Sequence, residues 1–166
     1  MADIKLKGNV FHTAGTLPAV GSKAPDFKTT KEDLSDVSLK DFAGKKLILN
    51  IFPSVDTGTC AASVRKFNVE AAKLDNTVIL NVSKDLPFAL KRFCAAEGID
   101  AVVSTSALRD DSFAKNYGVT ITDGPLAGVF SRSVVVIDET GTVKYTEQVD
   151  ETVNEPNYEA ALAAAK

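Results

Sequence analysis

The chain has 166 residues, of which 45% are hydrophobic and 25% charged, and 19 Lys and Arg against 22 Asp and Glu leave a formal charge of −3. This composition is typical of a globular domain and excludes disordered and fibrous classes, and the length fits one domain over residues 1–166. No basic run indicates a nucleic-acid partner, and no apolar stretch approaches the roughly 20 residues needed to span a membrane.

The hydrophobic pattern predicts strands and helices in alternation. "KKLILNIF" (45–52) is typical of a buried strand, and the apolar residues that follow the next turn recur at helical spacing. Asp85 and Pro87 are start signals for a second helix, and Gly98 is its stop signal. In chain order the predicted elements are an N-terminal hairpin, extended pieces in "KAPDFKTT" and "DVSLKDFAG", strand 45–52, a helix near residue 60, strand 76–85, helix 86–97, strand "AVVST", helix "DDSFAKNYG", hairpin "SVVVIDETGTVKYTEQV" and a C-terminal helix capped by Asn154.

This order predicts an α/β fold. The βαβ portion implies parallel strands, the later hairpin adds antiparallel ones, and the helices cover the faces of the sheet. The plan is that of a thioredoxin-like fold, with a central mixed β-sheet flanked by helices and an N-terminal β-hairpin.

The two cysteines, Cys60 and Cys94, are too far apart in sequence to form a C-x-x-C motif. With one histidine in the chain, a structural zinc site is not expected either. The N-terminus lacks the apolar core of a secretory signal, so we expect a cytoplasmic protein, in a compartment that keeps thiols reduced. Buried, catalytic and redox-sensing roles all remain open for both thiols.

Three interpretations of Cys60 can be compared. Pairing with His12 would require the N-terminal segment to fold back onto it, and a solvated histidine is the simpler expectation. A tyrosine-phosphatase loop needs five residues between Cys and Arg. Only four residues separate Cys60 from Arg65, so this interpretation is excluded. The third interpretation places Cys60 in the first turn of a helix capped by Thr57, where free N–H groups and the helix dipole favour a thiolate.

A nearby cation would favour the thiolate further. Arg132, at the start of a predicted buried strand, is the first candidate and Arg65 the second. An inert core cysteine remains the alternative for Cys60. Taken alone, Cys94 is interpreted as a core residue, and Arg132 could equally be an ordinary surface ion-pair partner.

The spacing of Pro53, Thr57 and Cys60 spells P-x-x-x-T-x-x-C, the signature of the peroxiredoxins. The wider "NIFPSVDTGTCAASVRKFN" resembles the bacterial thiol peroxidase subfamily, an atypical two-cysteine branch. Further similar segments are "VGSKAPDF", "SKDLPFALKRFCAAEG", "DGPLAGVFSRSVVVID" and "EPNYEAAL". The resemblance covers nearly the whole chain and is least distinct in the first dozen residues.

The resemblance implies a role for each site residue. Cys60 is then the peroxidatic cysteine, which reduces a hydroperoxide and becomes a sulfenic acid. Thr57 would bind the peroxide, Arg132 would stabilise the thiolate and the developing charge, and Pro53 would shield the pocket from water. Cys94 would be the resolving cysteine, which forms an intramolecular disulfide that thioredoxin reduces.

The resemblance also implies hydrogen peroxide and alkyl or lipid hydroperoxides as substrates, no cofactor or metal, and a homodimer. If Cys94 packs within a helix, the two cysteines need local unfolding to meet. The alternative function is a peroxide-sensing redox relay that uses the same cysteines. A binding module with inert cysteines is disfavoured by the complete motif.

Overall fold

A computed structural model describes residues 1–166. Its strands are β1 (Asp3–Leu6), β2 (Asn9–His12), β3 (Lys28–Lys31), β4 (Asp36–Ser38), β5 (Lys46–Ile51), β6 (Thr77–Ser83), β7 (Val103–Ser106), β8 (Ser133–Ile137) and β9 (Val143–Gln148). Its helices are α1 (Gly58–Ala71), α2 (Pro87–Glu97), α3 (Ser112–Tyr117) and α4 (Tyr158–Ala164), and a short 3-10 helix covers Leu39–Phe42. None of the helices is long and apolar enough to cross a bilayer.

Seven strands form one mixed sheet in the order β4-β3-β7-β6-β5-β8-β9, and β1 and β2 form a separate hairpin. The central strands β5, β6 and β7 pair in parallel, whereas β8, β9, β3 and β4 pair antiparallel. Both parallel connections step in the same direction across the sheet, so right-handed crossovers bring α1 and α2 to the same face. The predicted mixed sheet and N-terminal hairpin are confirmed.

Each face of the sheet carries its own hydrophobic core. On β5, Ile48 and the following Phe52 pack under α1, α2 and α4, and both cysteines belong to this cluster. Leu47 and Leu49 face the other side, where they pack with residues of α3. Burial on both faces explains why the central strands have continuous apolar sequences.

The helix ends follow local chemistry in two cases and not in a third. Thr57 caps α1 and Gly98 ends α2 in the left-handed conformation (φ 66°), both as predicted. The prediction that Asn154 caps the last helix is wrong, because Asn157 does so by accepting a hydrogen bond from the N–H of Ala160 at 3.0 Å. The reason is Pro156, which disfavours helical geometry in the residue before it and so delays the start of the helix.

Candidate active site

The first turn of α1 holds Cys60 as a free, fully buried thiol. The Thr57 hydroxyl oxygen accepts a hydrogen bond from the Cys60 N–H at 3.3 Å and donates to the Ser54 carbonyl oxygen at 3.2 Å. The threonine is therefore both the helix cap and part of the turn before it. The sequence predicts this position of Thr57, at the start of the helix and beside the backbone N–H of Cys60.

Arg132 directly precedes β8 and is almost completely buried, at 2% exposure. Its Nε donates to the carbonyl oxygen of Thr152 at 3.1 Å, and no carboxylate pairs with it. Its Nη1 is buried without any hydrogen-bond partner. A buried cation without a counter-ion is costly, so this guanidinium is suited to receive an anionic or strongly polar ligand. The surface ion-pair interpretation of Arg132 is therefore wrong.

Two consecutive carbonyl groups fix Arg132 relative to α1. Thr152 accepts from Arg132, and the next residue, Val153, accepts from the Thr59 hydroxyl at 3.0 Å. Thr59 is the neighbour of Cys60 in the first turn of the helix. We call Thr152 and Val153 the carbonyl strap, since it ties the guanidinium and the start of α1 to one short segment. The strap is itself held by the Thr152 N–H, which donates to the carbonyl of Lys5 at 2.8 Å.

Tyr158, the first residue of α4, lies near both site groups. Its hydroxyl donates to Glu155 at 2.7 Å, and its ring packs edge-on against Phe67 of α1 at 5.2 Å. Burial raises the pKa of Tyr158, and so does its hydrogen bond to Glu155. The charge of Arg132 opposes this rise in the pKa, whereas that of Cys60 adds to it. The phenol therefore shares one electrostatic environment with Arg132 and Cys60.

A single carboxylate supports the turn that joins β5 to α1. Asp85 accepts hydrogen bonds from the Ser54 hydroxyl (2.7 Å), the Val55 N–H (2.9 Å) and the Ser83 hydroxyl (2.7 Å). Pro53, which is buried two residues after the end of β5, begins this turn. The sequence predicts that Asp85 introduces α2, but Leu86 occupies the N-cap position there, and Asp85 supports the turn before Cys60 instead.

Cys94 lies on α2 as a second buried free thiol. Its Sγ is 3.5 Å from the hydroxyl oxygen of Ser104. Burial raises the pKa of Cys94 to about 11, the Ser104 hydrogen bond opposes that rise, and the nearby Glu32 carboxylate adds to it. In this buried position the sulfur is held as a neutral thiol at neutral pH, which is the less nucleophilic form.

The other candidates face away from the site. Arg65 pairs with Glu97 at 3.1 Å, on the exposed side of α1. His12 lies in the N-terminal hairpin, with Nδ1 only 2.6 Å from Asp123, and is thus engaged elsewhere. The structure contains no group of three or more His, Cys, Asp or Glu side chains that could hold a metal ion.

The sequence missed three supports of the site: the carbonyl strap, Asp85 and Tyr158. The strap acts through backbone carbonyl groups, which leave no residue pattern to recognise. The only sequence signal for Tyr158 was its position on the apolar side of the last helix. No local pattern identifies Asp85 as a partner of residues 30 positions away.

Comparison with known proteins extends these observations. The model of the family named Redoxin matches residues 19–162. A protein named Thiol peroxidase from Mycobacterium bovis is 58% identical over 164 residues, covering 99% of this chain and 98% of the relative. A Thiol peroxidase from Corynebacterium glutamicum is 54% identical and covers 99% of both chains.

Among solved structures, the crystal structure of a peroxiredoxin-like protein from Aquifex aeolicus superposes with a TM-score of 0.91 at 34% identity. The superposition covers 98% of this chain and 95% of that one. The predicted thioredoxin-like fold is thereby confirmed.

Proposed function

The chain belongs to the Redoxin family, and from that premise we propose that it is a thiol peroxidase in which Cys60 reduces hydroperoxides and Cys94 resolves the oxidised product. Its thiol peroxidase relatives support the peroxidase activity. The observation that carries the residue roles is the buried, unpaired Nη1 of Arg132, which the carbonyl strap fixes relative to the helix turn of Cys60.

In the first step, the Cys60 thiolate attacks one peroxide oxygen, and the O–O bond breaks. The sulfur is oxidised to a sulfenic acid, and the other oxygen leaves with a proton as an alcohol or as water. Arg132 donates hydrogen bonds to the peroxide oxygens, and a donor preorganised in a dry site stabilises developing charge strongly. The Thr57 hydroxyl hydrogen, which points at the Ser54 carbonyl in the structure, turns towards the peroxide when it binds. Pro53 contributes by keeping water from the sulfur.

In the second step, Cys94 attacks the sulfenic sulfur and forms an intramolecular disulfide, with loss of water. A dithiol reductant, which we propose to be thioredoxin, then returns both cysteines to the thiol form by disulfide exchange. This cycle uses hydrogen peroxide and alkyl or lipid hydroperoxides as oxidants. Location in the cytoplasm, assembly as a homodimer and folding of residues 1–166 as one domain stay predictions.

An NADPH-coupled assay with thioredoxin and its reductase tests the proposal on the wild type, Cys60→Ser and Cys94→Ser. Cys60→Ser is expected to abolish turnover, because no other thiol is placed to bind peroxide. Cys94→Ser is expected to consume one equivalent of peroxide and then stop with thioredoxin. Turnover retained in Cys60→Ser would refute the peroxidase mechanism.

The same assay separates the enzyme from the alternative, a peroxide-sensing relay. An enzyme is recycled by thioredoxin for many turnovers at a steady rate. A relay would instead pass its disulfide to a partner protein and would turn over slowly with thioredoxin alone.

A further inference from the structure

A row of buried polar side chains crosses the centre of the sheet under α1 and α2. Asn50 on β5, Asn81 on β6 and Ser104 on β7 are direct partners in the strand register. Asn50 Nδ2 donates to Asn81 Oδ1 at 3.0 Å, and Asn81 Nδ2 donates to Ser104 Oγ at 3.1 Å. We call these three residues the polar ladder.

Each end of the polar ladder reaches a helix that carries a cysteine. Ser104 Oγ accepts from Asn81, which leaves the Ser104 hydroxyl hydrogen free to point at Cys94 Sγ, 3.5 Å away. At the other end, Asn50 Nδ2 lies 3.4 Å from the hydroxyl of Ser63, which donates to the carbonyl of Cys60 at 2.8 Å. The polar ladder therefore connects the first turns of α1 to the Cys94 sulfur through a continuous row of hydrogen bonds.

The polar ladder lies in an otherwise apolar core. All three of its residues are at most 3% exposed, and the neighbouring positions on the same face include Ile48 and Ile79. Asn50 Oδ1 is left without a hydrogen-bond partner. Buried polar groups cost stability relative to apolar ones unless they are fully paired, so packing alone does not account for this row.

Cys60 and Cys94 are both free in the closed structure, and their helices contact different strands of the sheet. Ser63, one turn after Cys60, contacts β5, whereas Cys94 contacts β7, and these strands are two spacings apart, or about 10 Å. A disulfide needs a sulfur–sulfur distance of about 2.05 Å. Helix α2 must therefore release Cys94, and this release breaks the bond to Ser104.

We propose that the polar ladder latches Cys94 in the closed form of α2 and so sets the rate at which the Cys60 sulfenic acid is resolved; this inference rests on the proposed function. In resolution, the released Cys94 loses its proton and its sulfur attacks the Cys60 sulfur. The S–S bond forms, the S–O bond breaks, and the hydroxide leaves as water with that proton. While the latch is closed, a second hydroperoxide can oxidise the sulfenic acid to sulfinic acid and leave as an alcohol or water.

The Ser104 hydroxyl has a second effect, which is smaller. As a donor to sulfur it favours the Cys94 thiolate, but burial outweighs it and raises the pKa to about 11. Attack therefore proceeds from the released helix, where Ser104 no longer contacts the sulfur. Removing the hydroxyl should therefore accelerate resolution. It also removes the hydrogen-bond acceptor of the Asn81 amide, and this destabilises only the closed state, because water reaches the amide once α2 opens.

The test compares Ser104→Ala with a matched control, Thr105→Val. Thr105 is the next residue on β7, fully buried on the opposite face, and its hydroxyl donates to the Asn81 carbonyl at 2.9 Å. Both substitutions delete one buried hydroxyl from the same strand, but only the first acts on Cys94. Rapid mixing with one equivalent of hydrogen peroxide, followed by dimedone trapping and mass spectrometry, measures sulfenic acid, disulfide and sulfinic acid separately.

Ser104→Ala is expected to form the disulfide about threefold faster than the wild type, the factor that corresponds to a hydrogen bond of ordinary net strength. Its sulfinic fraction under excess peroxide should fall in proportion, and the first oxidation of Cys60 should be unchanged. Thr105→Val should resemble the wild type. Unchanged or slower resolution in Ser104→Ala, or equal acceleration in both variants, would overturn the latch.

Hydrogen exchange in the reduced protein provides an independent readout without peroxide. Amides of α2 should exchange about threefold faster in Ser104→Ala than in Thr105→Val, with α1 unchanged. Equal exchange in the two variants would contradict the latch even if the peroxidase assay succeeds. Conversely, turnover retained in Cys60→Ser would refute the proposed function and leave the exchange result to stand.

Discussion

Replacing Asp85 tests whether one carboxylate supports the turn between β5 and α1. Asp85→Ala removes three hydrogen bonds, from the Ser54 hydroxyl, the Val55 N–H and the Ser83 hydroxyl. Bonds to charged groups contribute about 1.5–3 kcal/mol each, but Asp85 is only partly buried and water can take the place of its carboxylate, so we count about 1 kcal/mol for each. The free energy of unfolding should fall by about 3 kcal/mol, which lowers the Tm by about 6–12 °C in a chain of this size.

Urea unfolding of the reduced protein, followed by far-UV circular dichroism, measures this loss; the chain has no tryptophan for fluorescence. Asp100→Ala is the matched control, because that side chain is exposed and forms no hydrogen bond or ion pair, and it should change stability by less than about 0.5 kcal/mol. Ser54→Ala should cost about 1 kcal/mol more in the wild type than in Asp85→Ala, where the Ser54 hydroxyl keeps only the hydrogen bond that it accepts from the Asp56 N–H. Additive losses in the double variant, or equal losses in Asp85→Ala and Asp100→Ala, would refute the reasoning.

Three further predictions follow from local geometry and charge. The pH dependence of Cys94 alkylation should have a midpoint near pH 11 in the folded protein and near the ordinary value of about 8.5 in urea. The stability that the buried neutral thiol contributes should be present below pH 8.5 and should be lost as the pH rises towards 11. A midpoint below pH 9 in the folded protein would contradict the burial of the thiol. The hydrogen bond to Asp123 raises the pKa of His12, so the NMR titration of this single histidine should move to lower pH in Asp123→Asn. In the wild type, the contribution of the pair to stability should be lost as the pH rises through the folded pKa of His12. An unchanged titration in Asp123→Asn would argue against the contact. Gly118→Ala should lower the free energy of unfolding by more than about 2 kcal/mol, because the added Cβ would lie 2.7 Å from the backbone nitrogen of Thr16. Gly98→Ala is the control, since Gly98 has the same φ of 66° but open space around it, and it should cost about 1 kcal/mol. Equal losses in thermal melts would count against the clash.

The fold could be predicted wherever the determining signals are local. Thr57, Pro87 and Gly98 mark helix ends within one turn of the chain, and all three act as predicted. The failure at Asn154 arose where two asparagines competed for one cap, and the intervening proline decided between them. Asp85 was misassigned because its partners Ser54 and Val55 are distant in sequence.

The candidate site divides in the same way. Thr57 and Cys60 form a local motif, so their contact could be predicted, whereas the burial of Arg132 without a counter-ion depends on tertiary packing. The polar ladder did have a sequence signal. Ile-Leu-Asn occurs in both β5 and β6, and parallel pairing in register brings Asn50 next to Asn81. A polar residue repeated within two buried strands is a pattern that could have identified it.

The carbonyl strap gives the N-terminal hairpin an influence that its sequence does not suggest. Lys5 exchanges backbone hydrogen bonds with Asp150 and Thr152, and the Glu151 carboxylate accepts from the N–H groups of Lys7 and Gly8. Thr152 is also the residue that holds the Arg132 guanidinium. Two hydrogen bonds thus connect Lys5 to the Arg132 guanidinium of the candidate site. An affinity tag or a substitution next to Lys5 can therefore change the position of that cation. Kinetic comparisons between related proteins should therefore use chains with matched, untagged N-termini.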